Sequence, residues 1–412
     1  MGAAELDGHY CYGVQVHGHC ESDFERVAEV FAAQLESGRD IGGSVGVYLD
    51  GKPVVEIWGG SADPGRGVPW AQHTITPIGS TGKALASTAV LILVDRGLVD
   101  LNEPVASYWP AFGQNGKDDI PVHLVLSHRS GVAALDEPIS NDQAAALDPV
   151  LRLIEQQRPW WQPGAKHGYH AMTYGFILSG LVRAVTGRTV GKFFADEVAR
   201  PLELDLNIGL PRELYNTVAP MIGPAQRQAI RSMINPVWFR FALGVANRRS
   251  ASYKATFAGT SVSFDDAAEL VRYDVEDASA GALGNGPSLA RMFAALIGEV
   301  DGRRLISADM MNAARQPQAS GRDVVLRVRT DWGLGFALPG GPMWPDVGVP
   351  GLFGHGGASG SLGFADPEHQ LAFGYTPNLW AELSGWFNTP FRFHALTKAV
   401  YECAGVRRWP RA

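Results

Sequence analysis

One stretch of this 412-residue chain sets the terms for the rest. The eighteen residues STGKALASTAVLILVDRG, from Ser80 to Gly97, are apolar on nearly every face until Asp95. A helix without a polar face has to be buried, so other elements must wrap this one on all sides. The pattern predicts a helix from Thr81 to Arg96, closed by Gly97. Its uncharged part, Ala84 to Val94, is too short to cross a bilayer, which takes about 20 residues. It reads as the core helix of a globular protein.

The wrapping elements are legible on either side. Asp23 to Gly38 carries Phe24, Val27, Val30, Phe31 and Leu35 at helical spacing. Ser44-Val-Gly-Val-Tyr-Leu and Pro53-Val-Val-Glu-Ile-Trp flank Asp50-Gly51-Lys52, the signature of an antiparallel hairpin. From about residue 105 to 290 the signals are helical with Pro- and Gly-rich connections, as in Met172 to Val185 and Thr189 to Val198. Strand-like pieces return at Trp332 to Leu338, Ser361 to Ala365 and Leu371 to Thr376, and Phe391 to Ala404 reads as a closing helix. No internal repeat appears. Strands at both ends with helices between predict an α/β (α+β) fold, an antiparallel sheet flanked by helices with an inserted, mostly helical domain. The expected division is a discontinuous α/β domain over 1–104 and 290–412, a helical domain over 105–289, and an active site in the cleft between them.

Composition narrows the partners. With 35 Lys+Arg against 42 Asp+Glu, a formal charge of −7, and no basic run, the chain lacks the footprint that holds nucleic acid or an anionic membrane. Three cysteines, Cys11, Cys20 and Cys403, cannot build a disulfide framework and suit a reducing compartment. The segment Met1 to Asp7 has acids where a secretory signal has bases. A cytoplasmic protein, monomeric or dimeric, acting on a small molecule is the expectation. His9, Cys11, His17, His19 and Cys20 do not match the spacing of a zinc knuckle, and no HExxH or paired carboxylate motif appears, so neither metal nor cofactor is expected.

Two serines compete as a nucleophile. Gly42-Gly-Ser44-Val-Gly46 fits G-x-S-x-G, but the nucleophile elbow needs a strand before the serine and a helix after it. Here the order is reversed. Ser80-Thr-Gly-Lys83 is an S-x-x-K at the start of the buried helix; residues three apart share a helix face, so amine and hydroxyl can meet. A helix N-terminus and apolar surroundings both disfavour ammonium and make the lysine a usable proton acceptor. The plain alternative is a serine cap with a lysine that snorkels to solvent. A phosphate loop fails, since Ala84 stands where Walker A needs Ser or Thr.

Further segments stand in order: Leu98-Val-Asp-Leu-Asn-Glu-Pro-Val105, His123-Leu-Val-Leu-Ser-His-Arg-Ser-Gly131, Gln162 to Gly175 around Tyr169, and Phe353-Gly-His355-Gly356-Gly357-Ala358 through Pro367. Together with Ser80-Thr-Gly-Lys83 this set resembles the serine β-lactamase and penicillin-binding-protein superfamily, its class C-like branch, and within it the β-lactamase-like family VIII carboxylesterases. The resemblance runs from about residue 20 to the C-terminus.

It implies that Ser80 is acylated with Lys83 beside it, that Tyr169 is the general base, and that His355-Gly356-Gly357 is the strand lining the substrate. The backbone N–H groups of Ser80 and Ala358 would form the oxyanion hole. A lysine ammonium beside Tyr169 would favour phenolate. Two departures bear on the substrate: Ala171 stands where lactamases of this branch have asparagine, and His355 stands in place of a lysine. Both losses favour neutral esters over penicillins. Trp161 and Trp238 are expected as substrate walls, the latter within a cap over Asn235 to Phe257, and Ser130 is expected to be structural. The implied activity is a carboxylesterase. An acyltransferase, an amide, β-lactam or D-peptide hydrolase, and a non-catalytic binding module are the alternatives.

Overall fold

The computed structural model describes residues 4–11, 14–223, 241, 243–258, 273–340, 349, 351–380 and 392–406. Asp50 and Gly51 both take positive φ (51° and 73°), the geometry of a two-residue hairpin turn, and join the strands Gly42–Leu49 and Lys52–Asp63. That hairpin seeds an antiparallel sheet. Outward from Lys52–Asp63 come Val14–Cys20 and then Ala4–Cys11. On the other side Gly42–Leu49 pairs with Leu371–Pro377, followed by Leu362–Asp366, Phe353–Gly356, Ala337–Leu338, Arg329–Trp332 and Ala319–Arg322. The first and last thirds of the chain therefore meet in the middle of one sheet.

Each face of the sheet has its own helices. Glu25–Glu36 buries Val27, Phe31 and Leu35, and shares an apolar cluster with Leu396 and Val400 of the terminal helix Arg392–Cys403. On the opposite face lies Gly286–Ile297, pressed so close that a Cβ on Gly46 would stand 2.6 Å from Pro287 Cα. A Cβ on Gly374 would stand 2.1 Å from Gly286 O. Glycine weakens a strand interior, and here it is required by the approach of a helix backbone.

This contact explains the G-x-S-x-G. Ser44 is buried in its strand; its hydroxyl accepts from Gly286 N (2.9 Å) and pairs with Thr376 Oγ1 (2.9 Å). The motif is a joint between strand and helix, with no elbow.

The apolar stretch forms the helix Gly82–Asp95, every residue from Gly82 to Leu93 buried. It lies in a cluster with Val150 and Ile154 of the helix Asp148–Gln156, Ile177 and Leu181 of Thr173–Thr186, and Leu289 and Phe293 of Gly286–Ile297. Full burial of each such side chain contributes on the order of 1.5–3 kcal/mol. Among the described residues no helix is long and apolar enough to cross a membrane.

One expected strand is corrected. Trp332 to Leu338 is a tight hairpin in which Trp332 pairs with Ala337, since Gly335 takes φ 86° and its missing side chain makes room for Ser87 Oγ. The apolar run hid a turn because Leu334 and Phe336 are buried as the strand residues are. The segment Thr189 to Val198 is likewise a short helix, Val190–Phe194, continued by a π turn over Ala195–Ala199.

Ser44→Ala removes a buried acceptor and leaves Gly286 N without a partner, which costs about 1–3 kcal/mol. Gly46→Ala, which must displace backbone, is expected to cost more. Urea unfolding of both variants measures the order, and a neutral Gly46→Ala would contradict the packing described.

Candidate active site

Ser80 sits in the 3₁₀ turn Gly79–Thr81 that leads into the buried helix, one residue before the helix's N-cap position, Thr81, and its side chain caps nothing. Gly79 allows the turn with φ 50°. Thr81 then ties it down, its hydroxyl pairing with Ser361 Oγ (2.8 Å) and donating to His355 O (3.3 Å), while Ser361 Oγ donates to Ile78 O (2.6 Å). The strand Phe353–Gly356 is thereby stitched to the turn. Gly357 completes the join: a Cβ there would lie 2.2 Å from Ile78 O.

Lys83 does not snorkel. It is fully buried, and Nζ lies 3.3 Å from Ser80 Oγ, 2.8 Å from Ala171 O and 3.2 Å from Ser279 O. Burial pulls its pKa well below that of an ordinary amine, with the buried Asp277 carboxyl opposing. The three contacts suit the neutral amine as well as the ammonium. A neutral amine has two N–H groups for two carbonyls, and its lone pair is then left for the Ser80 hydroxyl. Asp277 holds the loop that supplies the second carbonyl by accepting from Ser279 N (2.8 Å), and Ser279 Oγ accepts from Gly175 N (2.7 Å).

Tyr169 is also buried, and Lys83 Nζ stands over its ring, 4.8 Å from the centroid. Its hydroxyl has no hydrogen-bond partner among the described residues. Burial pushes the phenol pKa up, the nearby Ser80 hydroxyl being the chief opposing influence. Burial thus works against the expected phenolate, and Lys83, itself drawn towards the neutral amine by burial, lies over the ring face.

Around Tyr169 stand imidazoles. His170 Nδ1 donates to Gly168 O (2.7 Å), so its Nε2 accepts from Ser130 Oγ (2.7 Å), and its backbone N–H donates to His128 Nδ1 (3.2 Å). Ser130 thus supports the residue next to the tyrosine. His355 Nδ1 donates to Gly356 O (2.8 Å), which leaves Nε2 a bare lone pair, buried and unpartnered among the described residues. Burial holds all three rings neutral: His355 falls to about 3, His170 to about 4, and His128 well below 6.5.

The backbone N–H of Ala358 comes to the same place. A Cβ on Gly79 would stand 3.4 Å from Ala358 N. That N–H makes no hydrogen bond to a backbone carbonyl among the described residues.

Trp161 is half-buried at the edge, donating to Lys166 O (3.1 Å) and meeting His170 edge-on at 6.0 Å. Trp238 lies outside the described residues, as do the rest of 235–240 and 242 of the expected cap. From its described part, 241 and 243–257, Phe241 and Ala255 pack in one cluster with Tyr169 and Trp332. The sequence reading missed Ala171 O, Ser279 and Asp277, and also Asp323, which accepts from Tyr169 N. Two of these act through backbone atoms, which no residue pattern marks.

The family model described as Beta-lactamase matches residues 27–386. Esterase/beta-lactamase LipL of Mycobacterium tuberculosis (strain ATCC 25618 / H37Rv) is 35% identical over 376 residues, 89% of this chain and 83% of that protein. The crystal structure of a family VIII carboxylesterase superposes with a TM-score of 0.83 at 33% identity, covering 94% of this chain and 99% of that one. A penicillin-binding protein homolog from Caulobacter crescentus gives 0.79 at 31% identity, with coverage of 94% and 99%.

Neutral imidazoles make a measurable signature. Unfolded histidines protonate near 6.5, so with folded values near 3 and 4 these rings leave stability intact above about 6.5 and remove it as pH falls towards 4. At pH 5 the ¹⁵N spectrum should show His170 and His355 neutral, each protonated at Nδ1. Imidazolium signals for both at that pH would refute the arrangement.

Proposed function

This chain belongs to the β-lactamase family, and on that premise we propose that it hydrolyses neutral carboxylic esters of small to medium size through an acyl-enzyme on Ser80. The observation that carries the reading is the buried Lys83 amine 3.3 Å from the Ser80 hydroxyl, its other two contacts both carbonyls. The esterases among its relatives support the reaction class.

The steps follow from the donors and acceptors. Ser80 Oγ attacks the ester carbonyl and its proton passes to neutral Lys83. The oxyanion that forms faces the N–H groups of Ser80 and Ala358, each donor worth roughly 2.7–4 kcal/mol. As the tetrahedral intermediate collapses, the leaving alkoxide takes a proton from the Tyr169 hydroxyl, and the Lys83 ammonium restores it. Water then attacks the acyl-enzyme, its proton passing to neutral Lys83; as this second intermediate collapses, the Ser80 Oγ–acyl bond breaks, Ser80 Oγ takes that proton back and the acid is released. In this scheme Tyr169 is a conduit kept as phenol, and Lys83 takes the role of base.

Substrate charge is argued from His355. With its pKa near 3 and a bare Nε2 lone pair, it offers no cation to a carboxylate. Ala171 likewise has no side-chain amide for a lactam. Both features favour uncharged esters. The cleft between the sheet-bearing and helical parts is the proposed entry, with Trp161 at its edge and Trp238 as a further candidate wall.

The parent should turn over a p-nitrophenyl ester and be labelled by a fluorophosphonate. Ser80→Ala should lose both, and Ser44→Ala should keep labelling in its folded fraction; labelling lost only from Ser44→Ala would overturn the assignment. A second outcome concerns pH. Because the amine must be neutral to accept a proton, kcat/KM should rise with pH along a limb whose midpoint lies well below 10.5, and Lys83→Ala should lower kcat by at least about 100-fold. A parent limb at the ordinary amine value would refute Lys83 as base.

A further inference from the structure

A carboxylate 154 residues away holds the tyrosine of the site. Asp323 is fully buried, and both its oxygens accept from Tyr169 N, at 3.1 and 2.9 Å. Oδ1 also accepts from Val325 N and Leu326 N (2.8 Å each), and Oδ2 from Thr330 Oγ1 (3.4 Å). Thr330 Oγ1 in turn accepts from Trp332 Nε1 (3.0 Å) and pairs with His167 Nε2 (3.0 Å). The Trp332 ring lies stacked on that of Tyr169, centroids 5.5 Å apart and planes 12° apart. One side chain therefore fixes Tyr169 twice, through its main chain and through the plate under its ring.

We propose that Asp323 is the positioning residue for Tyr169, keeping its hydroxyl trained on Ser80 through the catalytic cycle. The inference rests on the reading of Tyr169 as the proton conduit. A local role in the turn alone does not account for the contacts. The turn donors Val325 N and Leu326 N both go to Oδ1, which an asparagine would also provide. Tyr169 N also reaches Oδ1, at 3.1 Å, so what the second anionic oxygen adds is the shorter 2.9 Å contact to that N–H, with Thr330 behind it. An asparagine amide would set N–H against N–H there. The negative charge also acts on the tyrosine directly, raising its pKa and so helping to keep it a phenol.

Asp323→Asn thus separates positioning from the turn. With p-nitrophenyl butyrate it should lower kcat 10- to 100-fold while KM stays within about threefold, and Ser80 should still be labelled by the fluorophosphonate. Thr330→Val, which releases Trp332 and His167 but leaves the Tyr169 main chain on Asp323, should lower kcat 3- to 10-fold. In the double variant Asp323→Asn/Tyr169→Phe the loss should equal that of Tyr169→Phe, because a misplaced hydroxyl and a missing one fail alike. Losses that multiply, or a kcat unchanged in folded Asp323→Asn, would overturn the proposal. If Tyr169→Phe itself kept full activity, the conduit reading would fall instead. Independently of turnover, the Tyr169 amide proton should shift and exchange faster in Asp323→Asn; an unchanged amide would refute the link.

Discussion

Taking an amine out of water is costly unless the protein gives it partners, and a buried lysine relieves much of that cost by giving up its charge. Lys83 is in that position at the start of a helix with no polar face. Its Nζ must find its partners inside the protein, and they come from far along the chain: Ala171 O and Ser279 O. Much of the surrounding structure serves to bring those carbonyls in. Asp277 bends one loop through Ser279 N, and Ser279 Oγ docks it on Gly175 N at the start of the helix Thr173–Thr186. A lysine treated this way is drawn towards the neutral amine because the fold denies it solvent.

The same economy governs the tyrosine and the imidazoles. Each buried ring keeps one tautomer because a backbone carbonyl, which can only accept, fixes where the proton sits: Gly168 O for His170 and Gly356 O for His355. The rings of the site are thus neutral groups with directed lone pairs. The buried acids beside them, Asp277 and Asp323, are held by backbone donors, Asp277 by Ser279 N and Asp323 by the N–H groups of Tyr169, Val325 and Leu326.

Much of this was readable from residues. The apolar helix, the Asp50-Gly51 hairpin and the serine–lysine pair three apart all act through local rules of turn chemistry and helix period, and Ser44 was set aside by element order alone. Burial at Tyr169 and Lys83 was not legible, because a pKa depends on it and the sequence shows a neighbouring lysine without showing that it too is dry. Trp332 to Leu338 misled because a hairpin with a buried turn has no polar break. Asp323 and the two carbonyls were invisible for a different reason: their partners Tyr169 and Lys83 lie tens to hundreds of positions away, and two of them act through main-chain atoms that any residue carries.

The seam in the middle of the sheet has a temporal consequence. The strand Gly42–Leu49 is completed by Leu371–Pro377, and Ser44 waits for Thr376, 332 positions later, to close its hydrogen bond. At the 5–20 residues per second of chain synthesis, roughly 17 to 66 s separate the two. Through that interval the hairpin's Gly42–Leu49 edge, a row of valines and glycines, has open backbone groups of the kind that recruit foreign strands. The newborn chain therefore depends on shielding, by its own helices or by a chaperone, long before it has an active site to protect.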